Sequence, residues 1–552
     1  MHCSYRHASA LVLAYASLAT SAMAQGVPCA DLSSLNLPDT TITIAAVVPA
    51  NTFTPPGGTV PFATAACRVA GSIKPTSDSN IQFEVWMPTA GWNRKFLSAG
   101  EGGFAGAINY GGIGAALQRG YAGGSTDTGH VGGNADFAPG HPEKVTDFGY
   151  RAKHLQAARS KDIIRAFYDR SIKHSYFSSC SNGGRQALME IQRVPDDYDG
   201  VLVGAPANNW TNHFAGFVWN EQALFNTPGS WLNNTKLAAI QAATLASCDR
   251  LDGVVDGVVE DPRRCAFNPQ TLACPSGTDG PSCLTPAQIT AVNKIVQGPR
   301  NPRTGRQIYP GYFTSAAGEA ASWPAWITGP NTAGASIQAF FGNAFFGRVV
   351  NEIPAPGVWD FSTFNFDSDV AFANRKEARN FNATEPDLFP FRRANHRGKI
   401  IMWHGWEDPA ISSQDAVDYY NDVVRENRDS EDFFRLFMVP GMLHCGGGPG
   451  PNAFGQSLPQ SQPLSNSPDH DILSALERWV EEGVAPKRIV AVKYVNDNPA
   501  QGVARTRPLC AYPKVAVYDG SGSTDDAANF RCRKPKHGKD HHDGHDKDHD
   551  DD

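Results

Sequence analysis

Beyond its N-terminal segment the sequence has no apolar run near the ~20 residues that a helix needs to cross a bilayer, which excludes a helical membrane span. It has no basic excess either. Lys and Arg number 48 against 55 Asp and Glu, a formal charge of −7, so the electrostatic footprint that nucleic acid requires is missing. His and Asp cluster between residues 119 and 142 (Asp127, His130, Asp136, His141), yet their spacing matches no zinc pattern, and the stretch reads as a loop over a site. Even the serine pattern G-x-S-x-G is incomplete, because Ser179 stands where its first glycine would be.

What is present describes an ordered, exported protein. Apolar residues make up 41% and charged residues 19%, as in globular chains. A length of 552 residues exceeds what one simple core organises, so two domains are expected. Residues 1–24 have the order of a secretory signal: Arg6, the apolar stretch Ala10–Ala19, and Ala22-Met23-Ala24 before Gln25. Of 11 cysteines, Cys3 would leave with that signal, and the remaining even number suits an oxidising compartment, outside the cell or in the periplasm. Residues 534–552 (KPKHGKDHHDGHDKDHDDD) hold no apolar side chain and read as a disordered, solvated tail.

The chemistry centres on Ser181. Ser175–Ser178 reads as a buried strand and Arg185–Arg193 as a helix with Ala187, Leu188 and Ile191 on one face. A strand turning sharply into a helix at x-Ser-x-Gly is a nucleophile elbow. Far along the chain stands Gly441-Met442-Leu443-His444-Cys445, and a cysteine adjoins each of Ser181 and His444. A bond between Cys180 and Cys445 would bring the Cα atoms of Ser181 and His444 within roughly 14 Å. Asp408 follows the apolar strand Lys399–Met402, where a triad acid belongs, and the order Ser, Asp, His is that of an α/β hydrolase. Glu407 and Asp415 are rival acids without that strand-end position. The strand Lys95–Ser98 runs into Gly100-Glu101-Gly102-Gly103. With the elbow in place, this turn predicts Gly102 as one oxyanion donor and Asn182, next to the nucleophile, as the other.

Other elements follow from periodicity. Ile81–Met87 alternates as a strand, and residues 148–170 form a helix with a Leu155, Ala158, Ile163 and Phe167 stripe. After Val201–Val203 the βα rhythm stops. Residues 207–395 are rich in Trp, Phe and Pro-Gly turns, and from Gly398 the rhythm returns with strands 399–402 and 433–439 and helices 413–424 and 469–482. The expected architecture is an α/β-hydrolase fold (residues 25–206 and 396–533) with a large inserted lid domain (207–395). Within it, Cys248 to Asp261 carries three aspartates and two glycines in nine residues, a tight acidic loop that would hold a cation or stand as an Asx-turn loop without one.

These residues resemble the tannase and feruloyl esterase family, which includes the mono(hydroxyethyl) terephthalate hydrolases. The Cys-Ser, Asp and His-Cys set carries the resemblance, with Trp92-Asn93, Phe366-Asp367-Ser368-Asp369, Arg507-Pro508-Leu509-Cys510 and the run 520–530 in the right order. The resemblance implies Cys29–Cys67, Cys180–Cys445, Cys248–Cys265, Cys274–Cys283 and Cys510–Cys532 as disulfides. It implies His404 in the acyl pocket. It also implies a structural Ca²⁺ on the carboxylates of Asp249, Asp252 and Asp256 and the carbonyls of Val254 and Val258, with no organic cofactor. The implied activity is serine hydrolysis of a small aromatic ester, with feruloyl or other hydroxycinnamoyl esters first and galloyl or terephthalate monoesters as alternatives. A non-catalytic exported binding protein and a metal-dependent hydrolase are the readings from other classes.

Overall fold

The computed structural model describes residues 26–58, 60–393, 397–456 and 461–535. The signal segment 1–24 and the tail from 536 onward lie outside the described residues.

Nine strands form one mixed sheet in the order β1-β2-β3-β5-β4-β6-β7-β8-β9. They are β1 (Thr40–Val48), β2 (Ala66–Ile73), β3 (Ile81–Pro88), β4 (Lys95–Ala99), β5 (Ala122–Thr126), β6 (His174–Cys180), β7 (Gly200–Gly204), β8 (Lys399–Gly405) and β9 (Phe434–Val439). β1 to β3 and β5 pair antiparallel, whereas β5, β4, β6, β7, β8 and β9 run parallel. The chain crosses over at β4 and β5, as in the α/β-hydrolase fold. Parallel strands covered on both faces need apolar side chains throughout, and β7 and β8 are buried along almost their whole length. The carboxyl ends of β4, β6 and β8 lie on one edge, so the loops that follow them meet there.

Both faces of β3 are covered. Phe83, Val85 and Met87 join the main core, while Trp86 packs with Ala66, Ile113 and Leu117 on the other side. The helix expected from residue 148 begins with a wide turn at Asp147–Arg151 and continues as Ala152–Tyr168. Its buried face is not the predicted stripe: it carries Lys153, Gln156 and Ser160 beside Ala157, Ile163 and Ile164, while Leu155, Ala158 and Phe167 lie half-buried at its flanks. Periodicity placed the apolar residues but could not foresee a polar strip that serves the loop after β4.

Between β7 and β8 no residue adds a strand to the sheet among those described. The intervening chain forms helices at Trp210–Phe225, Asn234–Cys248, Pro286–Gln297, Ile337–Ala344 and Ser368–Phe381. Part of this insertion has its own core around Leu237, Ile240, Val292, Ile295 and Trp323. The rest shares a core with the loops after β4 and β5, where Phe104 and Phe148 meet Trp210, Phe214 and Phe381. Two small antiparallel pairs, β10 (Arg488–Tyr494) with β11 (Val503–Cys510) and β12 (Val515–Tyr518) with β13 (Phe530–Arg533), complete the chain.

Candidate active site

Ser181 sits between β6 and the helix Asn182–Arg193 with φ 66° and ψ −127°, a region in which a non-glycine residue is strained. The turn closes because its neighbours are small. A Cβ on Gly183 would come 1.9 Å from Ser179 Oγ, and one on Gly184 would come 2.3 Å from the Gly204 carbonyl oxygen. Ser179 therefore replaces the pattern's first glycine only because Gly183 and Gly100 give its side chain room; a Cβ on Gly100 would lie 2.9 Å from Ser179 Cβ. The Ser181 N–H donates to Gly204 O at 2.9 Å, which pins the turn to β7.

Cys180 and Cys445 are bonded, with Cα atoms 6.0 Å apart across 265 residues of sequence. The other four expected pairs also form: Cys29–Cys67, Cys248–Cys265, Cys274–Cys283 and Cys510–Cys532. The His444 imidazole meets Asp408 Oδ2 through Nδ1 at 2.8 Å. Asp408 Oδ1 accepts the N–H groups of Ala410 (2.8 Å) and Ile411 (3.0 Å). Burial alone would push this carboxyl up, but the His444 and His404 imidazoles outweigh it and hold Asp408 well below the usual carboxylate range. The rival acids differ. Glu407 points to the Ser315 hydroxyl and the Ala316 N–H, and burial raises it to about 7; Asp415 is likewise buried and raised to about 7, with Asn209 as a partner.

His404 corrects an expectation. It is fully buried, does not line the cavity, and lies behind Asp408, with Nε2 3.1 Å from Asp408 Oδ2 and 3.1 Å from Ile411 O. Its place on β8 directs it beneath the acid, so it braces the carboxylate and cannot touch an acyl group.

Ser181 and His444 open onto one cavity of about 300 Å³, which Gly102 and Asn182 also line. Asn182 is the first residue of its helix, so its N–H has no intrahelical acceptor. A Cβ on Gly102 would meet nothing within 4 Å, so the chain there borders open space. The loop around it is braced by groups that the sequence did not single out. Gln186 Oε1 accepts the Glu101 N–H at 3.1 Å, Asn109 Nδ2 donates to Gly100 O at 2.7 Å, and Lys153 Nζ donates to Ala99 O at 2.6 Å. The buried Glu101 carboxylate accepts from the Ser125 hydroxyl at 3.0 Å, with Lys153 at 3.5 Å. Only the glutamate within its glycine run was visible beforehand; a lysine in a helix carries no such signal.

The cavity walls come from the insertion. Trp210, Phe214, Phe217, Trp326 and Phe341 line it, and the Trp326 ring stands edge-on to the His444 ring at 5.1 Å. His213, a polar residue in that wall, donates its Nε2–H to Ala410 O at 2.9 Å, and burial lowers it to about 4, so it is neutral near pH 7. No Asp, Glu, Lys or Arg lines this cavity among the described residues.

A family model described as Tannase and feruloyl esterase matches residues 67–533. The chain belongs to the tannase and feruloyl esterase family. An uncharacterised esterase of Xanthomonas campestris is 45% identical over 94% of this chain and 93% of its own, and feruloyl esterase B of Aspergillus niger is 31% identical over 84% and 86%. The crystal structure of feruloyl esterase B from Aspergillus oryzae superposes with a TM-score of 0.82 at 30% identity, covering 91% of this chain and 98% of that one. A tannin acyl hydrolase from Aspergillus niger, at 23% identity and a TM-score of 0.72, shares the fold. This family member is thus an esterase whose substrate is a small-molecule ester. No helix among the described residues is long and apolar enough to cross a membrane, and five disulfides require an oxidising compartment to persist.

The histidines and acids of the loop after β5 are engaged separately in this esterase. Asp127 accepts the N–H groups of Gln82 and Gly129, His130 bonds Phe104 O, Asp136 pairs with Arg348 and His141 with Asp78. In the acidic loop, Asp249 accepts from the Asp256 and Gly257 N–H groups, Asp252 from Val254 N–H, and Asp256 from Val258 N–H. Arg505 and Arg507 neutralise Asp256 at 2.9 and 2.7 Å. Negative charge remains in excess. Burial with Asp256 alongside raises Asp252 to about 6, and burial with both aspartates raises Glu260 to about 8, its Oε2 buried without a hydrogen-bond partner. The donor set is all hard oxygen, which fits a cation such as Ca²⁺.

Proposed function

We propose that this esterase is an exported serine carboxylesterase that cleaves esters of aromatic acids, hydroxycinnamoyl esters such as ferulates before all others. The observation that carries it is one disulfide, Cys180–Cys445, joining the neighbours of a strained serine and an Asp-bound histidine on the rim of one aromatic cavity. Asp408 holds Nδ1 of His444, which leaves Nε2 for the Ser181 hydroxyl. His444 takes the proton as Ser181 attacks the ester carbonyl, then returns it to the departing alcohol. Water repeats the sequence on the acyl-enzyme. The N–H groups of Gly102 and Asn182 receive the oxyanion, each contribution typically about 2.7–4 kcal/mol.

Substrate class follows from the walls. A chamber of indole and phenyl faces without an ionised side chain favours a planar, uncharged ring. It gives the carboxylate of a terephthalate monoester no cation, and the three hydroxyls of a galloyl ring few partners. The insertion, taken as residues 207–395 from the interruption of the βα rhythm, acts as the lid that supplies those walls. The acidic loop 249–258 would hold Ca²⁺ through Asp249, Asp252, Asp256 and the Val254 and Val258 carbonyls; the ion's part there is charge neutralisation and loop stability, away from the ester.

The test is a panel of methyl ferulate, methyl gallate and a terephthalate monoester, each with and without a serine-directed phosphonate. We expect ferulate to be the best substrate and the phosphonate to abolish turnover. Turnover that survives the phosphonate, or preference for the terephthalate, would overturn the reading.

A further inference from the structure

A second set of ligating side chains, none of which lines the ester cavity, gathers along the helix that begins at the elbow. His154, Glu190 and Asp197 each offer one ligand atom, and these atoms lie within 4.8 Å of one another. They come from separate segments: His154 from the first turn of the helix Ala152–Tyr168, Glu190 from the helix Asn182–Arg193, and Asp197 from the turn after it. His154 Nδ1 lies 2.7 Å from Asp197 Oδ2, and Lys161 Nζ donates to the Asp197 carbonyl.

An ion pair accounts for His154 and Asp197 but not for Glu190. That side chain is 2% exposed, and its Oε2 is buried with no hydrogen-bond partner. Lys153 and Lys161 are near enough to offset part of its charge, but that oxygen has no donor, and a buried carboxylate oxygen without one is costly. Burial and the neighbouring Asp197 both push Glu190 far above the usual carboxylate range. One imidazole nitrogen and two carboxylate oxygens, one from each of three segments, form the donor set of a Zn²⁺-class ion. Such ligands stand about 2.0–2.2 Å from the metal, hence at most ~4.4 Å from one another. The observed grouping needs only small side-chain adjustments to reach that spacing.

We propose that His154, Glu190 and Asp197 bind a divalent transition-metal ion that ties the two helices together. Glu190 is eight residues beyond Asn182, about 12 Å along the helix, so the ion braces the elbow helix from behind and takes no part in ester chemistry. This site is independent of the substrate assignment and differs in donors from the all-oxygen loop at 249–258.

The experiment uses the full chain with Ca²⁺ held constant, titrated with Zn²⁺ alone and followed by calorimetry and thermal unfolding. The histidines beyond residue 536 offer further imidazoles to zinc, so wild type is compared with His154→Ala and Glu190→Gln. His154 is half-exposed and Glu190→Gln conserves volume, so both variants are expected to fold and to hydrolyse esters at the wild-type rate without zinc. We expect a zinc-dependent rise in Tm in wild type that both variants lose, together with one fewer equivalent of tightly bound Zn²⁺. An equal rise and equal stoichiometry in wild type and His154→Ala, or no rise in wild type, would overturn the proposal.

Discussion

The acid of the candidate triad differs from its neighbours by what surrounds it. Asp408 receives two N–H groups and two imidazoles, whereas Glu407, one residue earlier, faces a hydroxyl and a single amide and is pushed up to about 7. Asp408→Asn preserves shape but favours the wrong imidazole tautomer, and kcat should fall about 10⁴-fold; a loss under tenfold in a steady-state ester assay would remove Asp408 from the mechanism. Glu407→Gln should leave the rate near wild type and change stability instead. A raised carboxyl binds its proton more tightly in the folded chain, so the native state loses stability as pH climbs from about 4.5 to about 7. That loss is on the order of 3 kcal/mol, and denaturant titrations across this window should show it absent from Glu407→Gln. Asp408 has the opposite sign: its contribution is present at neutral pH and disappears only in strong acid.

At the scale of elements, the site is an agreement between three loops at the carboxyl ends of β4, β6 and β8 and a fourth after β9. A Cβ on Gly405 would come 2.3 Å from the Met442 carbonyl oxygen, so the end of β8 and the segment carrying His444 are in contact already. The disulfide adds a covalent link between that segment and the elbow. Its removal frees a long loop in the unfolded chain, worth about 2–5 kcal/mol of stability, and loosens Ser181 against His444. The Cys180→Ser, Cys445→Ser double variant should therefore lose activity at temperatures where circular dichroism still reports a folded chain. Undiminished kcat/KM in that folded variant would show that packing alone aligns the pair. Much at this scale was legible beforehand: the elbow, the acid at a strand end and the return of βα rhythm near residue 398 all follow from local pattern. The polar face of the helix Ala152–Tyr168 was not, because Lys153, Gln156 and Ser160 are explained only by Ala99, Glu101 and Ser98 lying across from them.

For the whole molecule, the insertion both encloses the ester cavity and carries the acidic loop. That loop is closed by Cys248–Cys265 and packed against the C-terminal strands through Arg507 and through the Glu260 carboxylate, which accepts the Ala516 N–H at 2.9 Å. If the loop holds Ca²⁺ as proposed, withdrawing the ion would leave its acids repelling one another across an interface between distant parts of the chain. Chelation with EGTA should lower Tm and be reversed by Ca²⁺ but not by Mg²⁺, which resists replacing its water shell with such a loop. A Tm unmoved by EGTA would mean that Arg505, Arg507 and the loop amides suffice.

Local order in the sequence determined the kinds of element, the candidate serine, acid and histidine, and a cysteine content suited to the five disulfides that form, because these depend on neighbours a few residues apart or on composition. Tertiary structure alone decided which insertion aromatics line the cavity beside Ser181, that His404 stands behind Asp408, and that one carboxylate oxygen of Glu190 is buried without a hydrogen bond. Each of those depends on which side chain arrives from hundreds of residues away, and burial has no counterpart in a linear pattern.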